Sequence, residues 1–297
     1  MNKEFSSKLG LILSAVGSAV GMANIWGFPY KFQSGGLVFL IFYILFSVIF
    51  SVVGLSSEFA IGRLAKTGTL GAYEYSYKTR NQNTKIGRVV GFIPLMGTFL
   101  IAIGYSVIVA YVLKGFIDSL TGEIFTQQSQ AWFDSFASVP HSVIPYHAII
   151  IIITILTCFG GASSIEKTNK IMMPTFFVLF LILAIKVGSL PNSIEGYKNM
   201  FLYDPKTLNM KTILDSMGQA FFSLSITGSG MIVVGAYISK DEDIVSSSIQ
   251  TGIFDTLAGL ISSFVIIPAV SVFAMKEVGG PSLLFVTLPT ILNNIKF

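Results

Sequence analysis

The stretch Leu9–Tyr30, LGLILSAVGSAVGMANIWGFPY, decides how the rest of the chain is read. It carries no charged residue, and at about 1.5 Å per residue it is long enough to cross the hydrocarbon core of a bilayer. It also holds Gly10, Gly17, Gly21, Gly27 and Pro29, which weaken an uninterrupted helix. In hydrocarbon, a backbone group released by a break costs several kcal/mol unless a polar partner answers it. A spanning segment that invites a break over Val20–Asn24 is therefore one of two things. It is a seam for close helix packing, as the spacing Gly17-x-x-x-Gly21 allows, or a place where main-chain atoms hold a ligand.

The composition places the whole chain in the same solvent. Of its 297 residues 53% are hydrophobic and only 11% charged, where a soluble domain has about 25% charged residues. The net charge of +4 says less than the positions of the lysines do. The single cysteine, Cys158, excludes an intramolecular disulfide and reads as a buried small apolar residue. The opening MNKEFSSK resembles the start of a signal peptide, but the apolar stretch behind it is too long for a signal core. No small-residue cleavage site follows it, so it reads as a retained first span.

Charge-free intervals mark seven expected spans: Leu9–Tyr30, Phe32–Ser57, Val89–Leu113, Ser135–Ile165, Ile171–Ile185, Ser216–Ser239 and Ile244–Met275, the last broken by Asp255 alone. The Lys and Arg cluster Arg63–Arg88 puts the N-terminus inside, and a multi-pass protein of the plasma (inner) membrane is expected. The sixth interval is itself interrupted by Ser223-Leu-Ser-Ile-Thr-Gly-Ser-Gly230. That segment is either a polar helix seam or a second break, and interrupted first and sixth spans together point to an inverted-repeat carrier.

Asp255 is the sharpest single residue. A carboxylate at the centre of a membrane helix costs about 2.5–3.5 kcal/mol on insertion scales, so it needs a partner or a task. A bound monovalent cation is the natural partner and a proton the rival. Glu58, at the inner end of span two, reads as a cap or a partner of Arg63. His141 and His147 read as surface residues, and Trp132 and Phe133 as interfacial anchors. No phosphate-binding glycine loop, catalytic triad or metal-ligand spacing stands out, which argues against an ATP-driven engine and against an enzyme. Lipid and a small molecule are the expected partners, with no nucleic acid.

The segments AVGSAVGMANIWGFPYKFQSGG, SSEFAIGR, SSIEKTNKIMMPT, GQAFFSLSITGSG and GGPSLLFVTLP, in this order, resemble the neurotransmitter:sodium symporter family, the group of the bacterial leucine transporter. The resemblance implies an all-α membrane protein of the leucine-transporter inverted-repeat fold, forming one membrane domain over 1–297. Residues 9–190 would form the first five-helix repeat and 212–297 the start of a second, incomplete one. It implies a sodium ion and no organic cofactor. One sodium site would use the Ala19 carbonyl, Asn24, Ser223 and Asp255, all oxygen donors as a hard cation requires. A second would take the Gly17 and Val20 carbonyls.

An α-amino acid is the implied substrate. Its carboxylate would meet the Met22–Ala23 N–H groups and Tyr105, and its ammonium Ser225 with carbonyls around Ala19 and Phe222. Ser18, Ile101 and Gly228 would line the side-chain pocket. Glycine at 228, where the leucine transporter has a bulky aromatic, implies room for a large apolar or aromatic side chain. Tyr105 and Phe222 would form the lid, and Asp255 would make transport independent of chloride. The chain departs from the family pattern at Gly27, where many members carry an outer-gate arginine. It departs again at Asn2 and Phe5, where the inner-gate arginine and tryptophan are expected, with Lys3 as a substitute. Against the family pattern the sequence stops before the eighth span. A homodimer, a missing C-terminal part, a non-transporting membrane subunit and a proton-coupled carrier therefore remain as alternatives.

Overall fold

The computed structural model describes residues 4–273, 280 and 282–294. Asn2, Lys3 and the ends of the expected seventh span and of the chain, Met275 and Phe297, lie outside the described residues. Among those residues every regular element is helical.

Helix α1 (Lys8–Ala19) starts where the Ser7 side chain accepts the Gly10 N–H at 3.1 Å, and ends at Val20, which is extended at φ −67°, ψ 120°. A π-helical turn, Ala23–Gly27, leads into α2 (Phe28–Ile49). The first span thus breaks at Val20–Met22. It is separated from the second at Gly36, whose φ of +54° only glycine adopts without strain. The second span runs on through a π turn, Phe50–Leu55, into α3 (Ser56–Ala65). Short α4 (Thr69–Thr79) packs on α5 (Thr84–Thr121). After α6 (Ser129–Ala137) come α7 (Ile144–Phe159), α8 (Gly161–Gly188) and α9 (Ser193–Phe201). The sixth span is α10 (Met210–Ser223) and α11 (Gly230–Ala236) with an irregular segment between them. Then follow α12 (Ile244–Val272) and α13 (Leu288–Asn294), the latter preceded by a π turn over Leu283–Thr287.

Four helical segments are long and apolar enough to cross a membrane unaided: Ala23–Ala65, Thr84–Thr121, Gly161–Gly188 and Ile244–Val272. The remaining expected crossings are the two broken spans and α7, which has 16 residues. The charge-based limits err most at the fifth span. It begins at Gly161 rather than Ile171, because Glu166 and Lys170 pair within the helix at 2.6 Å and need no loop.

The broken helices lie in the middle. Helix α1 packs on α8 and α12, α10 on α2, and α11 on α3. The last contact is backbone to backbone. A Cβ at Gly235 would lie 2.6 Å from the Phe59 carbonyl oxygen, and one at Gly62 would overlap the Ile232 carbonyl. Trp132 and Phe133, expected as interfacial anchors, are instead buried. Phe133 stacks on Phe285 at 5.2 Å, and the Trp132 indole N–H donates to Asp118 at 2.8 Å, so the α6 aromatics form a core of their own. Cys158, expected inside, is exposed on the apolar outer face of α7. A small side chain in a membrane helix has no water to flee, so the rule that buries it in soluble proteins does not act.

Candidate functional site

Asn24 ties the first break together. Its Oδ1 accepts the Gly21 N–H at 3.0 Å, taking up a donor that the end of α1 left without a carbonyl. Its Nδ2 donates to Asp255 Oδ1 at 2.8 Å, the Asp255 carbonyl at 3.0 Å and Ser223 Oγ at 3.0 Å. The Ser223 hydroxyl is shared between the two Asp255 carboxylate oxygens, at 2.8 and 2.7 Å, and the Tyr43 hydroxyl donates to Oδ2 at 3.1 Å. Asn24, Ser223, Asp255 and Tyr43 are all 0% exposed. One residue from each of four spans thus meets at a single buried carboxylate with no Lys or Arg beside it.

The main chain next to this cluster is open. Among the described residues, none donates a hydrogen bond to the carbonyls of Gly17, Ala19 or Val20, whereas the Ser18 carbonyl accepts from Ser225 Oγ at 3.1 Å. Carbonyl, hydroxyl, amide and carboxylate oxygens are the donor set that a small hard cation takes, so the residues present fit sodium.

A cavity of about 640 Å³ lies against the break. Gly17, Ser18, Ala19, Val20, Met22, Ala23, Ile101, Tyr105, Phe222 and Ser225 all border it. Tyr105 reaches the break itself: its hydroxyl would lie 3.8 Å from a Cβ at Gly21. Phe222 is 47% exposed, so the two rings flank the cavity without sealing it. The Ser225 hydroxyl, expected to face a substrate ammonium, is donated to Ser18 and joins the two breaks. The Phe222 carbonyl accepts the Ser225 N–H at 3.1 Å.

Two expectations are corrected here. Gly228 lies away from the cavity, with φ +71° and its N–H donating to Glu58 Oε1 at 2.8 Å. Tyr73 and Pro94 occupy the space where its side chain would be. The positive φ at Ser225 and Gly228 redirects the segment, so the position that the resemblance assigns to the pocket lies against α4 and α5 instead. Glu58 in turn does not pair with Arg63, whose guanidinium donates to the Ser239 and Glu242 carbonyls at 3.3 and 2.7 Å.

Four contributors escaped the sequence reading. Tyr43 sat inside an apolar run, where its hydroxyl was the available signal. Gln219 donates to the Ala23 carbonyl at 2.8 Å and lies against Gly27, 3.1 Å from where a Cβ would start. Thr98 donates to Thr227 at 3.4 Å, bringing α5 to the second break. His147 pairs with Ser106, a cavity residue, at 2.8 Å, so it faces the protein rather than the surface. At the other end Phe5 packs edge-on against Tyr237 at 6.2 Å, and its N–H donates to the Tyr237 carbonyl.

A profile of the Sodium:neurotransmitter symporter family matches residues 2–141 and 134–297. An uncharacterised sodium-dependent transporter of Bacillus subtilis, YhdH, is 29% identical over 99% of this chain and 65% of its own length. An uncharacterised sodium-dependent transporter of Methanocaldococcus jannaschii is 27% identical over 99% of this chain and 63% of its own. The mouse sodium-dependent neutral amino acid transporter B(0)AT3 is 25% identical over 93% and 49%. The crystal structure of MhsT in complex with L-phenylalanine superposes with a TM-score of 0.89 at 32% identity, covering 100% of this chain and 67% of that one. The chain therefore spans about two thirds of the length of its bacterial and archaeal relatives. These relatives are transporters, not enzymes, and family membership implies a multi-pass membrane protein. With the profile matched along the chain and the fold matched by MhsT, this chain belongs to the sodium:neurotransmitter symporter family.

Proposed function

We propose that the chain serves sodium-coupled symport of a neutral α-amino acid with a large apolar or aromatic side chain, across the plasma membrane, with its N-terminus cytoplasmic. The observation that carries this reading is the buried Asn24–Ser223–Asp255–Tyr43 cluster set beside open main-chain carbonyls and a cavity of about 640 Å³. Sodium is cargo here. The Ala19 carbonyl, Asn24, Ser223 and Asp255 would hold one ion, and the Gly17 and Val20 carbonyls part of a second. The Met22–Ala23 N–H groups and Tyr105 would receive the substrate carboxylate. Large apolar substrates are favoured by the cavity's volume and by Ile101, Val109, Ile150 and Phe222 in its wall. Because the break supplies both carbonyls for the ion and N–H groups for the carboxylate, each ligand would order the segment that the other needs. Reciprocal affinity follows. Residues 9–190 would act as the first five-helix repeat and 212–297 as the opening of the second.

The test is binding of labelled phenylalanine by the purified chain in sodium and in choline. B(0)AT3 is named for neutral amino acids and MhsT is described with L-phenylalanine, which makes that amino acid the natural probe. Binding raised by sodium, and competed by leucine, tyrosine and tryptophan more than by glycine and alanine, supports the proposal. Absence of binding would favour a non-transporting membrane subunit. Binding that follows pH and ignores sodium would favour proton coupling.

A further inference from the structure

A second buried carboxylate has no part in the cluster above. Glu58 is 8% exposed, and its two oxygens are treated differently. Oε1 accepts the Gly228 N–H at 2.8 Å, inside the second break, while Oε2 is buried without a hydrogen-bond partner among the described residues. Beside it lies a separate cavity of about 300 Å³, whose polar walls are Ser57, Tyr73, Ser76 and Glu58 itself. No Lys, Arg or His lines it. On its own helix the nearest cation, Arg63, is engaged with the Ser239 and Glu242 carbonyls. The elements packed against α3 add no counter-charge. The π turn at Phe50–Leu55 and α11 carry no ionisable side chain, α4 presents Tyr73, and the lone carboxylate of α12, Asp255, is consumed by the Asn24 cluster.

We propose that Glu58 and this cavity form a proton-binding site, separate from the ion and substrate residues, whose occupancy sets how firmly the 224–229 break is held. Oε2 faces neither a hydrogen-bond donor nor a cation among the described residues, which is the position a proton would fill. With the proton on Oε2, Oε1 remains an acceptor for Gly228 and the break stays docked on α3. On losing the proton, the Gly228 hydrogen bond gains charge assistance, but one such bond returns less than an uncompensated buried charge costs. The charged group is then relieved by water entering the cavity, which has room for several molecules, and the docked segment loosens. The proton goes to and from that water, and no other group changes charge. This inference does not depend on the transport reading, because it concerns the docking of the break whether or not an amino acid binds.

Hydrogen exchange of the purified full chain, followed by mass spectrometry from about pH 6 to about pH 8.5, reads this directly. After correction for the intrinsic base-catalysed rate, protection of peptides covering 224–236 should fall about tenfold across that range in the native protein. It should be flat in Glu58→Gln, which keeps an acceptor oxygen but cannot ionise, while peptides of α5 and α8 stay flat in both. A second readout guards against a variant that folds poorly. Infrared pH-difference spectra of the native protein should contain a buried carboxylic-acid band that isotope labelling of glutamate shifts, an effect that leaves Asp255 untouched. Flat protection in the native protein, a pH step that survives in Glu58→Gln, or a carboxylic-acid band unmoved by glutamate labelling would each overturn the proposal.

Discussion

The two helix breaks are held in different ways. Each interrupts a spanning helix and frees backbone groups that hydrocarbon cannot satisfy. At the first break the chain leaves the Gly17, Ala19 and Val20 carbonyls bare and lets a side chain, Asn24, hold the geometry. At the second, side chains pin the segment to its neighbours: Glu58 takes the Gly228 N–H, the Ser225 hydroxyl reaches the Ser18 carbonyl, the Thr98 hydroxyl reaches that of Thr227, and the Thr69 and Ser229 hydroxyls meet at 2.8 Å. A break pinned by side chains at four points is an anchor. One whose carbonyls face a cavity and a buried carboxylate is a place for a ligand. Under the proposed function, the first break serves recognition and the second positioning.

The largest expected effect separates the two roles. Asp255→Ala removes the acceptor of Asn24, Ser223 and Tyr43 at once and takes away the cluster's only charge. Sodium-dependent phenylalanine binding should weaken by about 100-fold or more, roughly 2.7 kcal/mol, because a hard cation loses its anionic ligand. Scintillation proximity titration against sodium measures this. A variant that binds with native sodium dependence would remove the first break from ion recognition.

Gly228→Ala addresses the anchor. At φ +71° a Cβ is strained, and it would meet the Tyr73 hydroxyl at 2.7 Å. The cost should be about 1–2 kcal/mol of stability, seen as a lower melting temperature in detergent. Affinity for sodium and substrate should change less than about threefold, since the residue lies off the cavity. Loss of affinity without loss of stability would return Gly228 to the substrate pocket.

Ser225→Ala probes a direct bond between the two broken helices, the Ser225 hydroxyl to the Ser18 carbonyl. A single neutral hydrogen bond is worth about 1 kcal/mol, so coupling between sodium and amino acid should drop about fivefold while each ligand alone binds nearly as before. Measuring phenylalanine affinity at low and at saturating sodium gives that coupling.

Much of this was visible in the amino acids, and the parts that were not share a cause. The broken first and sixth spans follow from glycines and hydroxyls in apolar runs, and the isolation of Asp255 in its span from simple charge counting. Tyr43 was hidden because a tyrosine in an apolar helix reads as bulk until its partner's position is known. Glu58 was paired with Arg63 on helical spacing, a rule blind to carbonyls offered by another segment. Gly228 is assigned to the pocket by the family resemblance, which carries a position but not the backbone turn at two left-handed residues, Ser225 and Gly228. Periodicity carries information only while the backbone stays periodic. It fails at breaks, and the proposed ligand groups sit at breaks.

The smallest expected effect is none at all, and it bears on why Asp255 is an acid. A cation entering a buried site of neutral oxygens leaves a net charge in low dielectric, which a second, mobile anion can offset. Here the compensating charge is fixed in place: a fully buried carboxylate, held by Asn24, Ser223 and Tyr43. Replacing chloride by gluconate should therefore leave sodium-dependent binding unchanged. In Asp255→Asn, which keeps the shape of the cluster but not its charge, any residual binding should become sensitive to chloride. A native protein that loses binding in gluconate would mean that the carboxylate is neutralised before sodium arrives.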